Sequence, residues 1–203
     1  MFAKQLHEPL TLDQWRALER ACEGEGIKHE YIDGYLYAMA GGSLAHMQIA
    51  KSIVIALSAI LGDGPCLAYV LDAATRLSAS RYTYPDVVVT CSAQDQPSLE
   101  MLEVNEPSVV FEVLSPCTER RDRGEKWDYY RQCESLQEYV LVDTNYQRVE
   151  VYRRTPQGWG LYSIYGPDDA LELSSVEARI SLATIYKRSG VPRRPQDERS
   201  PSP

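Results

Sequence analysis

Apolar residues recur along this chain with two periods, and the switches between them mark the expected elements. From Ser43 to about Leu61, the residues Ile49, Ile53, Leu57 and Ile60 repeat at helical spacing. That pattern predicts one long amphipathic helix, stopped by Gly62 and Gly64. Upstream, TLDQWRALERAC sets Thr11 three residues before Gln14, the reciprocal cap of a helix running from about Leu12 to Cys22 and ending in the Gly24–Gly26 region. HEYIDGYLYAM then reads as a hairpin, with Tyr31 and Leu36-Tyr37 on either side of an Asp33-Gly34 turn.

Beyond the long helix the apolar runs shorten to strand length. CLAYVLDAATRLS predicts one or two strands, and YTYPDVVVTC predicts another with Pro85 at its entrance, where a missing N–H is tolerated. PSVVFEVLS follows a polar loop and is apolar enough to be buried on both faces. A second helix is expected from about Thr118 to Cys133. EYVLVD and RVEVYRR are strands joined through Thr144-Asn145-Tyr146, and WGLYSIYG is one more. VEARISLATIYKR reads as a short helix, or partly as a strand. The order of helix, strands, helix and strands, some of them parallel, calls for an α/β fold with a mixed sheet under helical cover. The tail GVPRRPQDERSPSP is rich in proline and charge, so residues 1–188 read as a single domain and 189–203 as a disordered tail.

Composition narrows the class. A chain of 203 residues, 44 % hydrophobic and 25 % charged, can bury a core of its own. No apolar run is expected to span a bilayer, and MFAKQLHEPLTLDQW lacks the apolar core of a secretory signal, so the expectation is a cytoplasmic protein with no membrane partner. Cys22, Cys66, Cys91, Cys117 and Cys133 are odd in number and form no CxxC pair, so free thiols are expected rather than a disulfide framework or a zinc site. His7, His29 and His46 show no ligand spacing either. A formal net charge of -8 argues against broad coating of nucleic acid. It leaves room for an enzyme that meets a phosphodiester through a bound cation and a local basic patch.

The position that demands a chemical explanation is Glu112, set among Val109, Val110, Phe111, Val113 and Leu114. An ionised carboxylate is costly to desolvate without a cationic partner. Asp86 starts the preceding apolar strand, and Lys126 lies on the following helix. Two carboxylates from neighbouring strands can converge on one magnesium ion, which takes oxygen ligands and keeps several waters. Such an ion makes water more acidic, and Lys126 would orient that water or stabilise charge on an attacked phosphate.

The stretches EYIDGYLYAM with His46 downstream, YPDVVV, VVFEVLSPCT, RDRGEKWDYY and EYVLVD occur in an order that resembles the Uma-two family. That family is catalogued as a domain of unknown function within the PD-(D/E)xK nuclease superfamily. The resemblance covers roughly residues 10 to 188. It implies a restriction-endonuclease-like mixed β-sheet flanked by helices, here with an added N-terminal helix and hairpin. It also implies Asp86 and Glu112 as metal ligands, the backbone carbonyl of Val113 as a third, and Lys126 as the catalytic lysine. The superfamily's lysine normally lies two residues after the acid, where this chain has Leu114, so the ammonium must come from the next helix. Cys117 and Val140 stand where serine and tryptophan are usual, and Cys133 where glycine is common. The resemblance further implies Mg2+, replaceable by Mn2+, a DNA substrate, and a homodimer.

Several accessory residues have ordinary readings as well. Glu30 is either an extra acid of the site or an exposed strand residue. His46 could contact substrate, or be a surface or packed histidine. Asp122 sits four residues before Lys126, the spacing of a solvated ion pair, and supports the helix start. Tyr129 and Tyr130 could stack on bases or line a half-buried helix face. Arg120, Arg121 and Arg123 form either a phosphate-binding edge or a solvated helix start. Gly124 hints at close packing or ligand approach. Besides a magnesium-dependent endonuclease, two alternatives stand: a binding or regulatory module that retains the fold with little turnover, and a hydrolase of smaller phosphate esters at the same carboxylates.

Overall fold

The structure is a computed structural model that describes residues 8–22, 27–39, 41–70, 72–98 and 102–193. The chain opens with α1 (Leu12–Ala21), the hairpin β1 (His29–Ile32) and β2 (Tyr35–Ala38), and the long helix α2 (Leu44–Leu61). Strands β3 (Leu67–Val70), β4 (Ala74–Ser78), β5 (Arg81–Thr83), β6 (Val87–Thr90), β7 (Glu103–Val104) and β8 (Pro107–Val113) follow. Next come α3 (Glu119–Arg121), a π-helical turn (Asp122–Lys126) and α4 (Trp127–Tyr130), continuous as one helix. The chain closes with β9 (Glu138–Val142), β10 (Val149–Thr155), β11 (Gly158–Tyr165), β12 (Ala170–Leu173), β13 (Ala178–Ser181) and α5 (Leu182–Ile185).

The α/β reading holds, with the strands divided between sheets. The central six-stranded sheet has the order β11-β10-β9-β8-β6-β3, and β2-β1-β5-β4-β7 form a second sheet. In the central sheet β8 and β9 run parallel and their neighbours antiparallel, so it is mixed. Because strand side chains alternate, β8 serves two cores. Val109, Phe111 and Val113 pack with Ile49, Ile53 and Leu57 of α2. Val110 and Leu114 pack with Tyr130, Tyr139 and Leu141 on the other side. Each fully buried side chain of this kind contributes about 1.5–3 kcal/mol. The same alternation turns Glu112 to the Val110–Leu114 face.

The capping box is as expected: the Gln14 amide donates to the Thr11 hydroxyl and the Thr11 amide to the Gln14 side chain. The hairpin turns at Asp33 and Gly34, both at positive φ (51° and 90°), as a two-residue turn between right-twisted strands requires. A Cβ at Gly34 would also lie 2.6 Å from Pro9 Cβ.

Several expectations need correction. YTYPDVVVTC is two strands in two sheets: Tyr84-Pro85-Asp86 interrupts the run, and the chain crosses from β5 into β6 there, carrying Asp86 to the junction. The expected helix from Thr118 to Cys133 contains the π turn and ends at Tyr130. VEARISLATIYKR supplies both β13 and α5, and β12 and β7 went unpredicted. Ile60, expected on the core face of α2, is 43 % exposed. α2 is also long and apolar enough to cross a membrane by length and composition, contrary to the reading of the runs; its Ile49, Ile53 and Leu57 instead pack fully buried on β6 and β8.

Two further corrections concern the cysteines and the tail. Cys66 and Cys91 are joined in a disulfide. Leu67 pairs with Thr90 in the β3–β6 ladder, so the next positions outward face each other across antiparallel strands, a proximity that cysteine spacing does not reveal. Cys22, Cys117 and Cys133 remain free. The ordered fold extends past residue 188: Val191 is buried, and Gln147 donates to the carbonyls of Val191 and Pro192. The expected helix end at Gly24–Gly26 and the tail from 194 lie outside the described residues.

Candidate active site

The site is built where the start of β6 meets the end of β8. Asp86, 8 % exposed, accepts a hydrogen bond from the Val113 backbone N–H through Oδ2 (2.7 Å), and its Oδ1 lies 2.7 Å from His46 Nε2. His46 arrives from the first turn of α2, whose start is fixed by Ser43 Oγ accepting from the His46 amide. Gly42 allows the imidazole its place, since a Cβ there would come within 2.8 Å of the ring. Burial pulls the His46 pKa down, but the hydrogen bond and charge of Asp86 outweigh it and leave the imidazole above its usual value. His46 is thus neither a bare surface residue nor an apolar packing one.

Glu112 lies one residue before that amide. Its Oε1 accepts from Lys126 Nζ at 2.9 Å and from the Tyr130 hydroxyl at 2.7 Å. Tyr130 in turn meets Thr83 Oγ1 at 3.1 Å. Among the described residues, Oε2 of Glu112 makes no hydrogen bond. Lys126 also lies 3.0 Å from Glu30 Oε1 and 3.7 Å from Asp122 Oδ1. Glu30 Oε2 lies 2.6 Å from Arg121 Nη1. Both Glu30 contacts are ion pairs whose angles fall outside hydrogen-bond geometry. Glu30, Glu112, Asp122 and Lys126 are 1 %, 4 %, 2 % and 6 % exposed, so the whole cluster is buried.

These carboxylates titrate differently. Burial pushes the Glu112 pKa up, Lys126 opposes it, and repulsion from Asp122 and Asp86 adds to it, leaving the carboxyl pushed up to about 8. Burial also raises Glu30, but Lys126 and Arg121 prevail and hold it below the usual range. Asp122 is raised, chiefly by burial. Burial works against the charge on Lys126, yet Glu112, Glu30 and Asp122 together keep its pKa well above normal. Lys126 is therefore a buried ammonium favoured by three acids, not half of a solvated pair with Asp122.

Other candidates fall outside this cluster. Tyr130 is fully buried and cannot stack on bases. Tyr129 is half-buried, holds Glu125 through its hydroxyl and lies under the Arg81 guanidinium at 4.7 Å. Arg121 is committed to Glu30 and Glu125, and Arg123 to Glu119 and Glu150, which leaves the exposed Arg120 without an ion pair among the described residues. Two of the three arginines are therefore tied into ion pairs while keeping 22 % and 31 % of their side chains exposed. A Cβ at Gly124 would meet nothing within 4 Å, so close packing does not require this glycine. Sequence reasoning missed Thr83 and Tyr139, whose hydroxyl donates to the Asp122 carbonyl at 3.0 Å. The available signal was a phenol inside the fully buried strand EYVLV, because buried tyrosine hydroxyls find partners. A cavity of about 500 Å³ lies elsewhere, beside Trp15, Tyr69 and Glu103.

The donor set suits a hard divalent cation. Glu112 Oε2 is unspent, Asp86 oxygens can accept further, and neighbouring acids raise Glu112 in a way added positive charge would relieve. Among the described residues no group of three or more His, Cys, Asp or Glu side chains is arranged to hold a metal. Magnesium, which keeps several of its waters, does not need one.

The Uma2 family model, described as "Putative restriction endonuclease", matches residues 13–184. The chain belongs to this family. Two Synechocystis sp. (strain ATCC 27184 / PCC 6803 / Kazusa) proteins are similar, both carried as uncharacterized. Protein slr1290 is 35 % identical over 175 residues, 86 % of this chain and 88 % of its own length. Protein sll1609 is 31 % identical over 149 residues, 72 % and 84 %. The crystal structure of "a putative nuclease belonging to DUF820" from Anabaena variabilis ATCC 29413 aligns with a TM-score of 0.67 at 21 % identity, covering 88 % of this chain and 98 % of that one. The fold is thus shared with that structure, and Uma2 membership supports a nuclease.

Proposed function

We propose that this protein is a divalent-cation-dependent endonuclease that hydrolyses DNA phosphodiester bonds. Asp86, Glu112 and the Val113 carbonyl would hold Mg2+, or Mn2+ in its place. The observation that carries the reading is the 2.9 Å contact of Lys126 Nζ with Glu112 Oε1, one residue from the Asp86–Val113 clasp. When bound, the cation supplies positive charge and makes water more acidic. Lys126 supplies a pre-oriented donor for charge developing on the phosphate, held by Glu30 as well as Glu112. Tyr130 keeps Glu112 Oε1 occupied, which leaves Oε2 to take the cation, and Val113 fixes one oxygen of Asp86. A homodimer that cuts both strands, in the cytoplasm, belongs to the same reading.

A second reading is a binding or regulatory module with little turnover. It is favoured by the pairing of Asp86 with His46 and of Glu112 with Lys126, which partly neutralises both acids without a metal. Cleavage of plasmid and oligonucleotide with Mg2+, Mn2+ or chelator separates the readings, using wild type beside Asp86→Ala, Glu112→Ala and Lys126→Ala. Cation-dependent cutting lost in the three variants supports the nuclease. Equal activity in all four preparations means a contaminant, and absence of calorimetric Mn2+ binding favours the module. Mononucleotide esters in the same assay test for smaller substrates.

A further inference from the structure

We infer that Tyr139 holds open the π turn that aims Lys126 at Glu112, so that Tyr139 and the residue count across Asp122–Lys126 are positioning devices for the ammonium. The catalytic consequence rests on the role proposed above for Lys126. The geometric claim stands apart from it.

Three observations converge. Asp122, Lys126 and Tyr130 are spaced by four residues, and all point inward, at 2 %, 6 % and 0 % exposure. In a regular α-helix of 3.6 residues per turn each four-residue step advances about 40°, so the three would fan across about 80°. The wider π turn takes up that drift and stacks the acid, the ammonium and the phenol on one face. Second, the Tyr139 hydroxyl donates to the Asp122 carbonyl at 3.0 Å in a buried setting. A helix carbonyl ordinarily serves the amide four residues on; in the π turn the ladder shifts to the amide five on, and the Tyr139 hydroxyl adds a donor from outside the helix at the residue where that shift begins. Third, Gly124 faces open space. What matters at that position is the count of residues, not the absence of a side chain.

Tyr139 is well placed for the task. It is fully buried in β9, paired with Val110 of β8 and Tyr152 of β10. Its ring lies 4.8 Å from the ring of Tyr130 and 5.6 Å from that of Trp127. The strand and the packed rings fix the phenol, and the phenol fixes the turn.

The test compares wild type, Tyr139→Phe, Gly124→Ala and a deletion of Gly124, with circular dichroism to monitor folding. The chain has five lysines, so side-chain ammonium NMR is simple, and Lys126, the buried one among the described residues, gives a solvent-protected signal, assigned with Lys126→Met. Gly124→Ala should match wild type in ammonium signal and in cation-dependent cleavage. The deletion and Tyr139→Phe should lose or shift the protected signal and lose roughly a hundredfold in cleavage, the cost of a displacement of about an ångström. A folded Tyr139→Phe variant with the wild-type signal overturns the inference, and it does so even if the deletion fails to fold. If wild type shows no cleavage, the nuclease reading falls while the ammonium comparison still decides the geometry.

Discussion

Asp86 at the entry of β6 and Val113 at the end of β8 are joined by a 2.7 Å hydrogen bond from the Val113 amide to the Asp86 carboxylate. The bond closes the ladder where Pro85 interrupts the strand, and it holds one carboxylate beside the residue that follows the other. Asparagine can still accept from that amide, whereas alanine leaves a buried donor unsatisfied at about 1–3 kcal/mol. Urea denaturation should therefore rank wild type above Asp86→Asn, and Asp86→Asn above Asp86→Ala. The two variants having equal midpoints would mean the clasp has no weight.

Lys126 is the cation common to Glu112, Glu30 and Asp122. Its removal in Lys126→Met leaves buried acids without compensation, a loss of about 3–5 kcal/mol for a broken buried pair. Chemical denaturation at pH 8 measures it. At pH 5 the loss should be smaller, because Glu112 and Asp122, both raised, take up protons instead.

The Glu112 carboxyl, pushed up from 4.5 to about 8, makes the folded state bind a proton that the unfolded state has lost. Its contribution to stability therefore falls as pH rises from about 4.5 through 8. The raised His46 acts in the same direction, its contribution present below 6.5 and lost above its folded value. Glu112→Gln should flatten the decline of the melting temperature with pH. An unchanged slope would show that Glu112 titrates normally.

Mn2+ binding should strengthen as pH rises from 6 to 8, since the ion competes with the Glu112 proton. At a hundredfold excess over Kd the cation adds about 2.7 kcal/mol of stability. Calorimetry and thermal melts read both effects, and Glu112→Gln should abolish them.

The Cys66–Cys91 disulfide closes a loop across 25 residues and ties β3 to β6. Reduction, or Cys66→Ala, should cost about 2–4 kcal/mol in denaturation. Free-thiol titration before and after reductant checks the bond itself, with Cys22, Cys117 and Cys133 as the unreduced count.

Local chemistry was legible wherever one segment decides its own conformation. Thr11 and Gln14 announced the first cap, Asp33-Gly34 the hairpin, and the spacing of Ile49, Ile53 and Leu57 the core face of α2. Glu112 announced itself because a carboxylate in an apolar strand needs partners. Its actual partners were less legible. Asp122 at four residues from Lys126 fitted a solvated pair, Glu30 fitted an extra acid or an exposed strand residue, and the arginines fitted a phosphate-binding edge or a solvated helix start, since the choice depends on which faces other elements cover.

The sequence by itself determined most of the longer helices and strands, the mixed α/β class and the family, because hydrophobic period, turn residues and motif order are properties of adjacent positions. Only the tertiary structure decided that Tyr84-Pro85-Asp86 joins two sheets, that Cys66 meets Cys91, that Tyr139 donates to the π turn and that Lys126 reaches Glu112. Those facts arise from contacts between residues distant in the chain, where burial and charge are set by the neighbours that packing brings.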